Sequence, residues 1–259
     1  MSLLHVTGLC KSFGANRAVD EVGFDIDAGE MLALIGPNGA GKSTVFNLLN
    51  GQLRADSGSI RLGHDNLSGK TPRDIFRLGV GRSFQVAETF ASLSVIENVQ
   101  LALLAADRKL FSLWQPAAGY KRPQAMQLLQ QVGMTALAER QCSMLAYGDV
   151  KRVELAIALA SGPRLMLMDE PTAGMAPQER VALMELVRTW ASERRLAVLF
   201  TEHSMDVVFG FADRIVVMAR GMVIAQGTPA EVRRDQQVQA VYFGGGPIFG
   251  VDEPSASSR

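Results

Sequence analysis

The pattern of apolar and polar positions divides the chain into three stretches of different rhythm. In the first 35 residues, short apolar segments at 3–9, 18–19, 22–27 and 31–35 are punctuated by Gly8, Gly14 and Gly29. Segments of that length between glycines predict strands. An apolar helix at 45–49 and a short strand at 59–62 follow. Thr71-Pro72-Arg73-Asp74 predicts a helix start, because a threonine hydroxyl can accept an orphan backbone N–H and proline fits the first helical position.

In the middle stretch the strand rhythm is lost. Ser94-Val95-Ile96-Glu97 is a capping-box pattern ahead of a helical run to Ala105. Residues 107–123 hold Trp114, Pro116, Gly119 and Pro123 and read as a loop or broken helix, with a helix again at 124–132. No strand pattern stands out between Phe90 and Ser161, which predicts a helical subdomain, about 90–161, inserted in a sheet domain. Beyond it the two rhythms alternate: strand 165–168, helix 178–194, strand 197–201, helix 205–211, strands 214–218 and 222–225, and a last helix capped by Thr228. Such alternation predicts an α/β fold whose mainly parallel sheet is covered on both faces. Residues 244–259, with three glycines in a row, two prolines and three serines, predict a mobile tail after a domain spanning 1–243.

Composition narrows the classes. At 259 residues, 47% hydrophobic and 20% charged, the chain has ordinary globular usage and needs no disulfide or metal to fold. Lys plus Arg is 26 and Asp plus Glu is 26, so the basic excess expected of a nucleic-acid partner is missing. Cys10 and Cys142, far apart, form no disulfide framework and fit a reducing, cytosolic setting. The first residues lack the pattern of a signal peptide, and nowhere do 18 apolar residues run together, as a bilayer span would need.

Two motifs carry chemistry. Gly36-Pro37-Asn38-Gly39-Ala40-Gly41-Lys42-Ser43 fits G-x-x-x-x-G-K-[ST] and lies between a predicted strand and a predicted helix, the context the pattern requires. Its glycines let backbone N–H groups close around phosphate oxygens, and the helix N-terminus adds partial positive charge. Lys42 would reach the β- and γ-phosphates, Ser43 would hold Mg²⁺ through its hydroxyl, and Thr44 would face the α-phosphate. Leu165-Met166-Leu167-Met168-Asp169-Glu170 is a buried strand delivering two acids at its C-terminal end, where open α/β sheets bind ligands. Asp169 would order Mg²⁺ and its waters, and Glu170 would be the base that orients the attacking water.

Around these motifs the chain resembles the ABC ATPases. Leu145, Ala146, Tyr147, Gly148 and Asp149, followed by KRVELAIALA, resemble the LSGGQ-type signature motif. Gln85 in VGRSFQ is similar to the Q-loop glutamine, and His203 in LFTEHSMD to the switch histidine. Phe13 resembles the aromatic A-loop residue that stacks on adenine, and Ala173-Gly174-Met175-Ala176 stands at the D-loop position. The resemblance covers about residues 1–243. It implies a RecA-like P-loop core with an N-terminal antiparallel β part and an inserted helical subdomain. It also implies that ATP and Mg²⁺ are bound, that Gln85 touches Mg²⁺ or the water, and that His203 bonds the γ-phosphate. In such a protein two ATPase subunits, alike or merely similar, sandwich two ATP molecules and drive membrane permease subunits from the cytoplasmic face.

LAYGDVKRVELA, EPTAGMAP and the AVYFGG ending resemble the ATPase subunits of branched-chain amino-acid importers in particular, which work with a periplasmic solute-binding protein. The same features overlap with ATPases of urea, amide and lipopolysaccharide transport. A soluble ABC ATPase acting on DNA or ribosomes is the rival of another class. Two positions depart from the family pattern: Ala146 replaces the usual signature serine, and Ala176 the D-loop aspartate.

Overall fold

The computed structural model describes residues 2–83, 89–107 and 119–243. The chain begins with β1 (Ser2–Phe13), β2 (Asn16–Asp27), β3 (Met31–Ile35), α1 (Lys42–Leu49), β4 (Ser57–Leu62), β5 (Asp65–Asn66), α2 (Pro72–Arg77) and β6 (Val80–Ser83). Three helices follow, α3 (Val95–Ala106), α4 (Arg122–Gln131) and α5 (Tyr147–Leu159). The rest is β7 (Leu165–Asp169), α6 (Pro177–Arg194), β8 (Ala197–Thr201), α7 (Met205–Phe211), β9 (Arg214–Ala219), β10 (Met222–Gly227), α8 (Pro229–Arg234) and α9 (Gln236–Phe243).

Two sheets form. β2-β1-β4-β5 is antiparallel, and β10-β9-β3-β8-β7-β6 is parallel except for β10 at its edge. Strand β3 is buried along its whole length, and its side chains divide by parity. Met31, Ala33 and Ile35 join a core with the helices from α3 to α7, whereas Leu32 and Leu34 join a core with β1, β2 and α1. Alternation of side chains along a strand requires this split, so the central sheet is the wall between two cores. Each large apolar side chain so buried contributes about 1.5–3 kcal/mol.

Several elements differ from the sequence reading. The segments 18–19 and 22–27 form one strand, β2; the polar pair between them, Asp20-Glu21, is a bulge, with Glu21 at φ 49°. Helix α1 begins at Lys42 rather than at 45, because Gly41 in the left-handed region (φ 101°) ends the loop there. Strands β5 and β6 were not anticipated, and α8 is followed by α9. Between β6 and β7 the described residues carry helices, two short 3₁₀ turns and an isolated Ser94–Gln141 bridge. Ser94 and Glu97 form the expected capping box at α3, as Thr228 and Glu231 do at α8. Among the described residues no helix is long and apolar enough to cross a membrane.

Candidate functional site

The strand order β3-β8-β7 sets three C-terminal strand ends side by side. The loops that leave them carry Gly36–Gly41, Asp169-Glu170 and Glu202-His203, so residues more than 120 positions apart converge on one cleft of about 610 Å³. Asn38, Gly39, Ala40, Gly41, Lys42, Ser43 and Thr44 line it with Phe13, Asp169, Glu170 and His203. Gly36 and Pro37 form the base of the loop. A Cβ at Gly36 would lie 2.2 Å from the Met218 carbonyl, and one at Gly41 2.3 Å from the Ala18 carbonyl, so only glycine lets the loop lie this close to β9 and β2.

Lys42, in the first turn of α1, folds back over the loop. Its Nζ donates to the Gly36 carbonyl at 2.6 Å and to the Pro37 carbonyl at 3.1 Å. Burial pulls its pKa below the ordinary lysine value, while the Glu170 and Asp169 charges oppose that shift. Opposite stand the acids. Asp169 Oδ1 accepts from the Thr201 hydroxyl at 2.6 Å, and its Oδ2 lies 3.9 Å from Arg82. Glu170 has a left-handed backbone, φ 50°, and its N–H donates to Thr201, to the carbonyl at 3.2 Å and to Oγ1 at 3.1 Å. Those bonds hold a conformation that few non-glycine residues adopt. Its Oε1 lies 2.9 Å from His203 Nε2, on a side chain that is 58% exposed.

Behind this pair the buried Glu202 accepts from the Thr172 N–H at 2.8 Å and from its hydroxyl at 2.6 Å, tying the loop after β7 to the loop after β8. The rim is cationic and aromatic: Phe13, half exposed, with Arg17 and Arg220. The oxygen donors suit a hard cation. Mg²⁺ uses one or two carboxylates together with phosphate oxygens and water, and Asp169 and Ser43, which line the same cleft, supply a carboxylate and a hydroxyl for that set. Gln85, the third expected metal contact, lies outside the described residues.

Leu145, Ala146, Tyr147, Gly148 and Asp149 do not line this cleft. They form the entry to α5, where Ala146 is the N-cap with no side-chain hydrogen bond and Asp149 sits in the first turn. Gly148 is buried against α6: a Cβ there would lie 3.1 Å from Glu179 Oε1. The Tyr147 ring, 47% exposed, lies 3.4 Å from the Cβ position of Gly174. The segment at 145–149 and the segment at 173–176 are therefore neighbours within one chain.

Sequence reasoning missed Asn16, Arg17, Arg220 and Gly221 in the cleft, and Arg82 and Thr201 behind Asp169. Nothing in the motifs marks them. Arg17 and Arg220 enter because the β1–β2 hairpin and the β9–β10 turn meet over the loop, through the Gly221 N–H bond to Ala40 at 3.1 Å and the Asp20 N–H bond to Gly221 at 2.8 Å.

Comparison with known proteins agrees with this geometry. Residues 19–173 match the ABC transporter family, and residues 222–247 match the branched-chain amino acid ATP-binding cassette transporter family. The chain is 38% identical over 249 residues to the high-affinity branched-chain amino acid transport ATP-binding protein LivG of Escherichia coli K12, covering 93% of this chain and 98% of that one. It is 36% identical over 252 residues to BraF of Pseudomonas aeruginosa, with the same two coverages, 93% and 98%. Among solved structures, the ADP conformation of MJ1267, an ATP-binding cassette of an ABC transporter, superposes with a TM-score of 0.84 at 29% identity, covering 94% of this chain and 99% of that one. A cleft built from a P-loop, an acid pair and a histidine at adjacent strand ends, on a chain matched over most of its length, has one consistent reading: the protein belongs to the ABC transporter family, as one of its ATP-binding cassettes.

Proposed function

We propose that this chain is the ATP-hydrolysing subunit of an importer for branched-chain or other hydrophobic amino acids. The observation that carries the reading is the convergence of Lys42, Glu170 and His203 on one cleft, in a chain 38% identical to LivG along nearly its full length. ATP lies with its adenine on Phe13 and its phosphates on the amides of residues 38–44. Lys42 leaves its loop carbonyls for the β- and γ-phosphates. Ser43 and Asp169, with Gln85, would hold Mg²⁺, which when bound would offset phosphate charge. Glu170 orients a water in line with the γ-phosphorus and accepts its proton as the bond to the ADP oxygen breaks, while His203 turns from Glu170 to the γ-phosphate.

The second half of the site comes from another ATPase subunit, whose own 145–149 segment closes over the γ-phosphate. The permease pair of the assembly would supply the membrane part, with this subunit at its cytoplasmic face; among the described residues no helix is long and apolar enough to cross a membrane. Phe90 would form part of the surface that meets that partner, and its exposure supports this reading. It is 62% exposed, and its backbone is clamped by the buried Asn98, whose side chain accepts the Phe90 N–H at 2.8 Å and donates to its carbonyl at 3.2 Å. A periplasmic binding protein would deliver the solute.

The test is uptake. Deleting the gene from its host should abolish high-affinity uptake of radiolabelled leucine, and wild-type but not Lys42→Ala protein should restore it. Unchanged leucine, isoleucine and valine uptake in the deletion strain would reject the assigned solute class.

A further inference from the structure

Glu202 is buried, bridges the loops that carry Glu170 and His203, and does not line the cleft. Three donors meet on its carboxylate. Oε1 accepts from the Thr172 hydroxyl at 2.6 Å and from the Thr172 N–H at 2.8 Å, and Oε2 accepts from the His203 N–H at 3.2 Å. Thr172 is itself buried, in a tight turn that starts at Glu170 and is closed by the Ala173 N–H on the Glu170 carbonyl at 3.1 Å. Pro171, between Glu170 and Thr172, fixes one backbone angle of that turn. The bonds form a closed circuit. It runs from Glu170 through the turn to Thr172, through the Glu202 carboxylate to the His203 main chain, and from the His203 ring back to Glu170 at 2.9 Å.

We propose that Glu202 is a positioning residue for hydrolysis, fixing the main chain on both sides of the Glu170–His203 pair. The inference rests on the roles assigned above to those two residues. When the imidazole turns to phosphate, its contact with Glu170 is given up, and the bridge through Glu202 still holds the two main chains at their separation. The histidine then swings about a fixed backbone, and Glu170 stays aimed at its water. The bridge needs a carboxylate, because a carboxylate only accepts. An amide of the same shape would satisfy Thr172 with its oxygen and then set its NH₂ against the His203 N–H, donor against donor. Flipped, it would set the NH₂ against the Thr172 N–H. Either way one end of the bridge opens. The buried charge is tolerated because charge-assisted hydrogen bonds replace its water.

The experiment compares the full-length wild type with Glu202→Gln, each assembled with the ATPase partner its activity requires. At saturating ATP, kcat should fall roughly 10- to 100-fold, the scale expected when a reacting group is displaced by about an ångström. ATP affinity, read with a fluorescent analogue, should not change, because Glu202 does not line the cleft. If affinity and kcat fell together with the thermal midpoint, the bridge would be merely structural and the proposal overturned. A wild-type kcat in Glu202→Gln would overturn it too. The double variant gives an independent reading, since groups that act as a unit are not additive. Adding Glu202→Gln to Glu170→Gln should lower turnover hardly further, and a full multiplicative loss in that background would count against the proposal as decisively. If Glu202→Gln does not fold, Thr172→Val, isosteric but lacking one of the donors, should lower kcat in the same way at smaller amplitude; an unchanged kcat there would overturn the bridge. A wild type that bound no ATP, or near-normal turnover by Glu170→Gln alone, would instead reject the reading on which the inference rests, an outcome distinct from wild-type kcat in Glu202→Gln.

Discussion

The cleft and the start of α5 are built in opposite ways. In the cleft, the groups a phosphate needs are already partnered inside the chain: Lys42 on two loop carbonyls, Asp169 on Thr201, Glu170 on His203. At α5 the N-cap is an alanine without a capping side chain, and Met144 and Tyr147 stand 63% and 47% exposed. One chain holds the groups of the first region by mutual contacts before substrate arrives, and on the proposed reading Lys42 and His203 exchange those partners for phosphate. The second region is shaped but unfinished, and on the proposed reading a second chain's nucleotide completes it. Substitutions in the cleft should therefore act through chemistry, and those around residue 146 through association and helix stability.

The largest effect is expected at Glu170. Glu170→Gln keeps size and polarity but removes the proton acceptor, so steady-state ATPase activity should fall by roughly 10²–10⁴-fold while nucleotide still binds. Near-normal turnover would take Glu170 out of the role and break the contrast at its root. Lys42→Ala comes next. Losing a charged hydrogen-bond donor is worth about 1.5–3 kcal/mol, or ~10–150-fold in affinity, readable by titration with a fluorescent ATP analogue.

Association supplies the third test. Where monomers predominate, a dimeric active species makes specific activity proportional to protein concentration, so a tenfold dilution should cost up to about tenfold. Activity that stays flat down to concentrations where sedimentation finds only monomers would make the cleft sufficient by itself. Gly148→Asp is a poor probe of the same point, because its carboxylate would be pressed against Glu179 in its own chain. The smallest effect belongs to Ala146→Ser. Ala146 has extended N-cap geometry, φ −66° and ψ 155°, and a serine there should cap α5 for about 1 kcal/mol. Differential scanning calorimetry should then find a thermal midpoint higher by roughly 2–4 °C; no rise would mean that the entry to α5 is already satisfied.

The cleft could be read in the sequence because its two motifs have a dense local code, whereas the segment at 145–149 was reached through resemblance. The glycines, Lys42 and Ser43 lie within eight residues, and Asp169-Glu170 closes an apolar run. His203 was reached only through resemblance, since a lone histidine after a strand says nothing until β8 is known to lie between β3 and β7. Strand β6 escaped because Val80-Gly81-Arg82-Ser83 has neither an apolar run nor alternation; its conformation comes from pairing with β7, Val80 opposite Leu165 through Ser83 opposite Met168. Arg82 escaped with it. In sequence it is one more charged residue, yet in the fold it donates to Asn47 on α1 at 3.0 Å and to Gln52 at 2.9 Å and faces Asp169. Such residues are defined by three-dimensional neighbours that no window along the chain contains.

The contact between Glu170 and His203 has a consequence for an ATPase waiting without substrate. A carboxylate whose oxygen lies 2.9 Å from an imidazole nitrogen is engaged, and on the proposed roles it is released only when the histidine swings to a γ-phosphate. The trigger and the safety catch are then one side chain, and the same event that presents a bond to be cut uncovers the group that helps cut it. ADP, which brings no γ-phosphate, leaves the catch on, so the state after each turnover is silent by construction.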